Sequence, residues 1–268
     1  MIGSNSASPI AAIAHTIAQL RPDWVINAGA FTEVDAAEVN EARALAINAQ
    51  APRAIAKSLS ATGWRLLQIS SDYIFEGTLR RPYRVTDCPN PLSVYGWSKL
   101  LAEQGVGENA LILRTGWLYA AQGRNFVHSM LDRMAWDGEV RAATDQLGTP
   151  TWVGGLAEAL WRLIELRACG IHHYRDSGVT SWHEFARSIA EDALTLGLLG
   201  AKPRVIPITA DDYDALARRP AYSVLDDSIT RAQLKIGAAH WRTCLRFVLE
   251  DLASMRRCDE HDRSFTNK

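Results

Sequence analysis

Long apolar runs, paired cysteines and a surplus of either charge are all missing from this 268-residue sequence, and each absence removes a class of function. The four cysteines, Cys88, Cys169, Cys244 and Cys258, show no C-x-x-C pairing and no regular spacing. That excludes a disulfide framework or a thiolate zinc site and leaves reduced, structural thiols. The 29 basic residues are balanced by 30 acidic ones. So even a distribution gives no electrostatic reason to expect nucleic acid or an anionic membrane, and an anionic ligand would have to be held by a local site. No stretch approaches the ~20 apolar residues of a membrane span. The first residues lack the basic start and long apolar core of a signal peptide, so the chain reads as cytoplasmic. His172 and His173 are neighbours on a strand and point to opposite faces. With no carboxylate or cysteine at metal-site spacing, no metal is expected.

What remains is an ordinary globular composition, 47% apolar and 22% charged, long enough for a real core. After a polar, turn-like start at 4–9, apolar residues recur at helical spacing from Ile10 to Leu20. Trp24–Ile26 is a short buried strand opening into Asn27, Ala28, Gly29 and Ala30. Alanine-rich 36–60 predicts helix, with Pro52 as a break or first-turn residue. Arg65–Ser70 and Ala110–Arg114 predict strands, Tyr95–Gly105 and Phe126–Asp137 helices, and 77–91 a long loop. This alternation predicts an α/β fold, a Rossmann-like doubly wound parallel sheet with helices on both faces. The pattern changes near 145, where helices over 152–168 and 181–199 predict a smaller C-terminal substrate lobe. The expected division is a dinucleotide-binding part over 1–145 and a lobe over 146–254, some of which returns to the first part. A polar tail over 255–268 is expected to fray.

The chemistry concentrates in Tyr95-Gly96-Trp97-Ser98-Lys99. Tyrosine and lysine four apart share a helix face, and a nearby ammonium lowers a phenol's pKa toward working pH. Such a phenol can protonate a carbonyl oxygen as hydride reaches the carbon. The spacing alone also fits a solvated helix face. Ser71, directly after a strand, narrows the choice, because a hydroxyl at the carboxyl end of a parallel strand lies where open α/β sheets bind ligands.

The run Ser70-Ser71-Asp72-Tyr73-Ile74-Phe75-Glu76-Gly77, then Pro82-Tyr83, then Pro91-Leu92-Ser93-Val94-Tyr95-Gly96-Trp97-Ser98-Lys99 resembles the matching block of extended short-chain dehydrogenases. Arg114-Thr115-Gly116-Trp117-Leu118-Tyr119, Asp145-Gln146-Leu147-Gly148-Thr149-Pro150-Thr151, Ser181-Trp182-His183-Glu184-Phe185-Ala186 and Arg218-Arg219-Pro220-Ala221-Tyr222-Ser223-Val224-Leu225-Asp226 narrow the likeness to the dTDP-4-dehydrorhamnose reductase family. The resemblance implies that NADPH or NADH delivers hydride to C4 of a dTDP-linked 4-keto sugar. By it, Tyr95 is the general acid, Lys99 lowers the pKa of Tyr95 and meets the nicotinamide ribose, and Ser71 polarises the carbonyl. Ala28, Gly29 and Ala30 match positions beside the cofactor. Thr32, Val34, Asp72 and Tyr73 match the sugar side, Trp117 a ring stacked on the sugar, and Arg219 a diphosphate grip. Core packing for Trp117 and a surface ion pair for Arg219 are the plain alternatives. A homodimer is compatible with the likeness.

The likeness also leaves a gap. Family members open on a strand and a G-x-x-G-x-x-G turn, which brings backbone N–H groups to the pyrophosphate. The nearest pattern here, Gly105-Val106-Gly107-Glu108-Asn109-Ala110, follows a helix and precedes a strand, the wrong order. The sequence therefore reads as starting late, with weak dinucleotide binding as the expectation. Two competing readings stay open: a nucleotide-sugar epimerase or dehydratase on the same fold, and a non-catalytic regulatory or decayed homologue, since the regulatory subunit of methionine adenosyltransferase is similar to the same blocks.

Overall fold

The computed structural model describes residues 9–60 and 62–266; the polar start at 4–8 lies outside them. α1 (Pro9–Leu20) leads into β1 (Trp24–Asn27). Helices α2 (Val34–Val39) and α3 (Glu41–Leu45), a π-helical turn (Ala46–Gln50) and α4 (Ala51–Leu59) then return the chain to β2 (Arg65–Ser71). A 3₁₀ turn (Asp72–Ile74) and a long loop precede α5 (Val94–Gly105), β3 (Leu111–Thr115) and β4 (Leu118–Tyr119). Next come α6 (Phe126–Asp137), β5 (Glu139–Ala143), β6 (Leu147–Gly148), β7 (Thr151–Trp152), α7 (Val153–Glu165) and β8 (Gly170–His173). The chain closes with β9 (Thr180–Ser181), α8 (Trp182–Thr195), β10 (Arg204–Ile208), α9 (Ser228–Leu234) and α10 (Trp241–Thr266).

The main sheet is four parallel strands in the order β1-β2-β3-β8. Alternation along each strand divides its side chains between two cores. Leu66 and Ile112 pack with Ile17, Ile55 and Leu59 under α1 and α4. Leu67, Leu111 and Leu113 pack with Leu156, Ala159 and Leu163 of α7 on the other face. Helices cover both faces, the doubly wound arrangement read from the sequence. A third core joins α6, α8 and α10 through residues such as Val127, Phe185 and Leu249, and β5 pairs parallel with β10 beside it. Thus β8 returns from beyond 146 to the main sheet, while β5, from before 145, pairs into the smaller lobe. Among the described residues no helix is long and apolar enough to cross a membrane.

Two expectations differ from the structure in instructive ways. The helix expected over 36–60 is interrupted at Asn40, whose backbone leaves the helical region while its Nδ2 donates to the Ala36 carbonyl. Asparagine competes for backbone partners in this way. Residues 255–266, expected to fray, continue α10. Leu245, Leu249 and Leu252 anchor that helix, and adding turns to a formed helix needs no new nucleus.

Candidate active site

A cavity of about 540 Å³ opens beyond the carboxyl ends of β1, β2 and β3, between the main sheet and the smaller lobe. Its wall contains Ala28, Ala30, Thr32, Val34, Ser71, Asp72, Tyr73, Tyr95, Lys99, Trp117 and Arg219. Every site residue expected from the sequence is therefore brought to this cleft except Gly29, which lies off its wall.

Ser71 is the last residue of β2, and its buried hydroxyl caps the 3₁₀ turn by accepting from the Tyr73 N–H at 3.1 Å. The same Oγ donates to Asp72 Oδ1 at 3.1 Å and lines the same cleft as the Tyr95 phenol. Ser93 caps α5 by accepting from the Gly96 N–H, which fixes where Tyr95 enters the cleft. At 96 only glycine fits, since a Cβ there would lie 2.2 Å from the Tyr73 carbonyl oxygen. Glycine at 116 meets a similar demand: a Cβ would come within 2.4 Å of the Asp72 carboxyl. The motif glycines thus let α5 and the strand end press against the Ser71–Asp72–Tyr73 turn.

Lys99 is anchored to the sheet. Its Nζ is buried and donates to the Ile69 carbonyl at 2.7 Å. Burial lowers its pKa to about 8, with the Glu103 carboxylate opposing the fall. Burial pushes the Tyr95 phenol up to about 12, opposed by Ser71, and the Asp72 charge adds to the rise. The helical spacing does put both residues on the cleft side. The ammonium, however, is held by a strand carbonyl rather than by the phenol. Asp72, 4% exposed, is raised to about 6 by burial, against hydrogen bonds from Ser223 and Ser71. Burial also raises Tyr73, whose ring meets Tyr95 edge-on at 6.0 Å.

Behind this row lies a buried charged layer. The Arg114 guanidinium pairs with both Glu103 oxygens, at 2.7 Å from Nη2 to Oε2, and Ser70 Oγ donates to Oε1 at 2.5 Å. Trp117 lies flat against Trp182, ring centres 3.4 Å apart. Its ring lines the cleft and packs on the core formed by α6, α8 and α10. Arg219 reaches the cleft but is taken by Asp35, 2.6 Å away on α2. Burial works against its charge, yet the Asp35 hydrogen bond holds its pKa above the ordinary value.

Asn48 was invisible to the sequence reading. It sits in the π-helical turn, 1% exposed. Its Oδ1 accepts from the Phe31 N–H at 2.7 Å, and its Nδ2 donates to the Phe31 carbonyl and to Ser98 Oγ. Ser98 Oγ in turn donates to the Tyr95 carbonyl. One amide thus ties the loop after β1 to the helix carrying Tyr95. Arg124, Arg133 and Arg141 were also missed. They line the cleft mouth, and no carboxylate holds them at ion-pair distance among the described residues.

The residues present fit a dinucleotide's reactive end. Ala28 and Ala30 leave the β1 end open for close approach, and Lys99 keeps two N–H donors beyond its bond to Ile69. The hydroxyl of Thr115 and the indole N–H of Trp117 are buried without a hydrogen-bond partner beside the cavity.

Residues 6–254 match the family model described as the RmlD substrate binding domain. The chain is 37% identical over 258 residues to a dTDP-4-dehydrorhamnose reductase of Burkholderia thailandensis, covering 90% of this chain and 86% of that one. It is 40% identical to a protein of the same name from Streptomyces griseus, covering 88% and 79%. It superposes with TM-score 0.85 at 31% identity on a crystal structure of dTDP-4-dehydrorhamnose reductase from Bacillus anthracis in complex with NADP, covering 90% and 85%.

Proposed function

From the premise that the chain belongs to the RmlD substrate-binding-domain family, the dTDP-4-dehydrorhamnose reductases, we propose that it reduces the C4 ketone of dTDP-4-dehydro-L-rhamnose to dTDP-L-rhamnose, a step toward cell-surface polysaccharide. NADPH or NADH, when bound, supplies the hydride. The observation that carries this reading is the convergence of the Ser71 hydroxyl, the Tyr95 phenol and the Lys99 ammonium on one cleft at the strand ends. Tyr95 gives its proton to the C4 oxygen. Ser71 orients that oxygen, and its hydroxyl works against the burial that disfavours the phenolate left behind. Lys99 holds the inner end of the cleft and offers its remaining N–H donors to a ribose hydroxyl. Ala28 and Ala30 leave room beside it.

On the sugar side, Thr32, Val34, Tyr73, Asp72 and Trp117 supply a wall that is part apolar and part polar, as a deoxysugar ring requires. The diphosphate is better served by Arg124, Arg133 and Arg141 than by Arg219. Arg219 is already paired with Asp35, and guanidinium groups without a carboxylate partner suit phosphate oxygens. The enzyme is cytoplasmic in this reading and forms a homodimer, which sedimentation velocity would count.

The test is NADPH oxidation with the 4-keto sugar. Tyr95→Phe should lower kcat by a factor on the order of 10² or more, as loss of a general acid does. Unchanged turnover would defeat the assignment. Conversion of the sugar without net cofactor oxidation would favour the epimerase or dehydratase reading instead.

A further inference from the structure

The short helix α2 carries two acids, Asp35 and Glu38, that the reductase reading leaves without a part. They reach different elements of the cleft. Asp35 accepts from the Ala217 N–H at 3.0 Å and from the Arg219 guanidinium, 3.2 Å from Nη1 and 2.6 Å from Nη2. Glu38 Oε1 accepts from the Val94 N–H at 2.9 Å. Val94 is the first residue of α5, so its N–H is one of the donors a helix start leaves over, and the Ser93 side chain is already engaged with Gly96. Between the two acids, the buried Ala37 packs in a cluster on which Val94 and Tyr95 rest. The segment that Asp35 holds comes from the smaller lobe. It is fastened there at Ala210, whose N–H donates to Asp145, and at Ala221, whose carbonyl accepts from the Leu147 N–H at 2.8 Å. Between those anchors it brings Tyr213 and Arg219 to the cleft, the guanidinium 5.8 Å from the centre of the ring.

We propose that α2 is a bracket between the smaller lobe and the helix of Tyr95, with Asp35 and Glu38 as positioning residues for the reduction. The inference rests on the reductase reading. A sugar nucleotide seated against the lobe has to present its C4 oxygen to a phenol that belongs to another element, so the two must be held in register. Asp35 sets where the lobe segment lies. Glu38 sets where α5 begins, and the phenol follows one residue later. Both acids stand within one turn of a single helix, so the distance between lobe segment and phenol is fixed by a rigid piece. Neither acid touches the reacting atoms. The Asp35–Arg219 pair is too open to carry much of the fold, its side chains being 37% and 17% exposed. Its geometry is nonetheless demanding. One carboxylate takes both arms of the guanidinium and a backbone N–H, which fixes direction as well as distance. Arg219 is thereby given a use other than the diphosphate: it is the hook by which the lobe is fastened.

The experiment measures kcat, KM for NADPH and KM for the dTDP-linked 4-keto sugar in Asp35→Ala, Arg219→Ala, their double variant, Glu38→Ala and Glu38→Gln, with Tm beside them. Asp35→Ala should raise the sugar KM on the order of tenfold, hold the NADPH KM within about twofold and leave Tm little changed. Arg219→Ala should do the same, and the double variant should be no worse than either single one, because all three remove one link. Glu38→Ala should lower kcat on the order of tenfold by displacing the start of α5. Glu38→Gln keeps an oxygen for the Val94 N–H and should recover most of that loss. If an alanine variant does not fold, Asp35→Asn decides instead: it keeps an oxygen for Ala217, gives up the charge and should still raise the sugar KM. A lower sugar KM on losing Asp35 would make Arg219 a phosphate ligand that Asp35 masks, and overturns the bracket. Additive losses in the double variant, or Glu38→Gln as impaired as Glu38→Ala, overturn it too. Wild-type constants in the Asp35 and Glu38 variants sink the bracket alone, whereas no turnover by wild type sinks the reductase reading and the bracket with it.

Discussion

Neutralising Glu103 leaves the Arg114 guanidinium with no carboxylate in a core where its side chain is 2% exposed. The pair is bidentate: Nε lies 3.0 and 3.2 Å from the two carboxylate oxygens and Nη2 lies 2.7 Å from Oε2. Glutamine keeps the volume, but its amide turns a donor toward the donors of Arg114 and Ser70. The other neighbours cannot replace the charge. His173 is held neutral, its pKa lowered to about 3 by burial and by Arg114 itself, and Phe75 offers only its ring face at 5.4 Å. Breaking one side of a buried pair costs about 3–5 kcal/mol. Glu103→Gln should therefore destabilise the fold by about 3 kcal/mol or more, and lower Tm by roughly 6–12 °C at the sensitivity of a domain this size. Guanidinium unfolding should show a lower midpoint at unchanged slope. The control is Glu103→Leu with Arg114→Met, which removes both charges and should recover most of the loss. The carboxylate also supports the Lys99 ammonium, so Glu103→Gln should bring the lysine further below about 8. A single variant within 1 kcal/mol of wild type, with the double variant no better, would refute the view that this pair is an uncompensated liability when halved.

Asn48→Ala abandons the N–H and carbonyl of Phe31 and should cost about 2–4 kcal/mol; faster hydrogen exchange at the Phe31 amide is the check. Gly96→Ala puts a methyl 2.2 Å from the Tyr73 carbonyl oxygen and should cost about 1–3 kcal/mol by calorimetry, with Tyr95 displaced and activity reduced. Asp72→Asn should stabilise the fold in a pH-dependent way. The folded carboxyl titrates near 6 against 3.8 when unfolded, so the native state holds the extra proton between those values. Wild-type stability then falls as pH climbs from about 4 to 6, by up to about 3 kcal/mol for a two-unit shift. The variant's advantage should be full above pH 6 and absent below about 4; a constant difference in Tm across that window would contradict it.

The parts of the site that were legible in the sequence are those set by local periodicity. Tyr95 and Lys99 share a helix face because 3.6 residues make a turn, and Ser71 reaches the cleft because a strand ends there. What the sequence hid depends on partners far along the chain. Asp35 meets Arg219 across 184 positions, and no short pattern announces that pairing. Lys99 looked like the partner of a phenol, but its reach to the Ile69 carbonyl follows from how α5 settles on β2. The pairing of β5 with β10 joins segments about sixty residues apart and is equally silent in each of them alone. Asn48 was hidden by its setting in an alanine-rich run, where it read as one more helical residue.

That setting has a consequence of its own. A π-helical turn is a helix with one residue too many, and Ala46–Gln50 is such a surplus between α3 and α4. Deleting a single residue from the segment would close the bulge into regular α-helix and leave α4 in phase with α3. The amide now aimed at Phe31 and Ser98 would sweep away from the cleft while every side chain type stayed in the sequence. Outside Asn48, this stretch should therefore accept substitution more readily than a change of length.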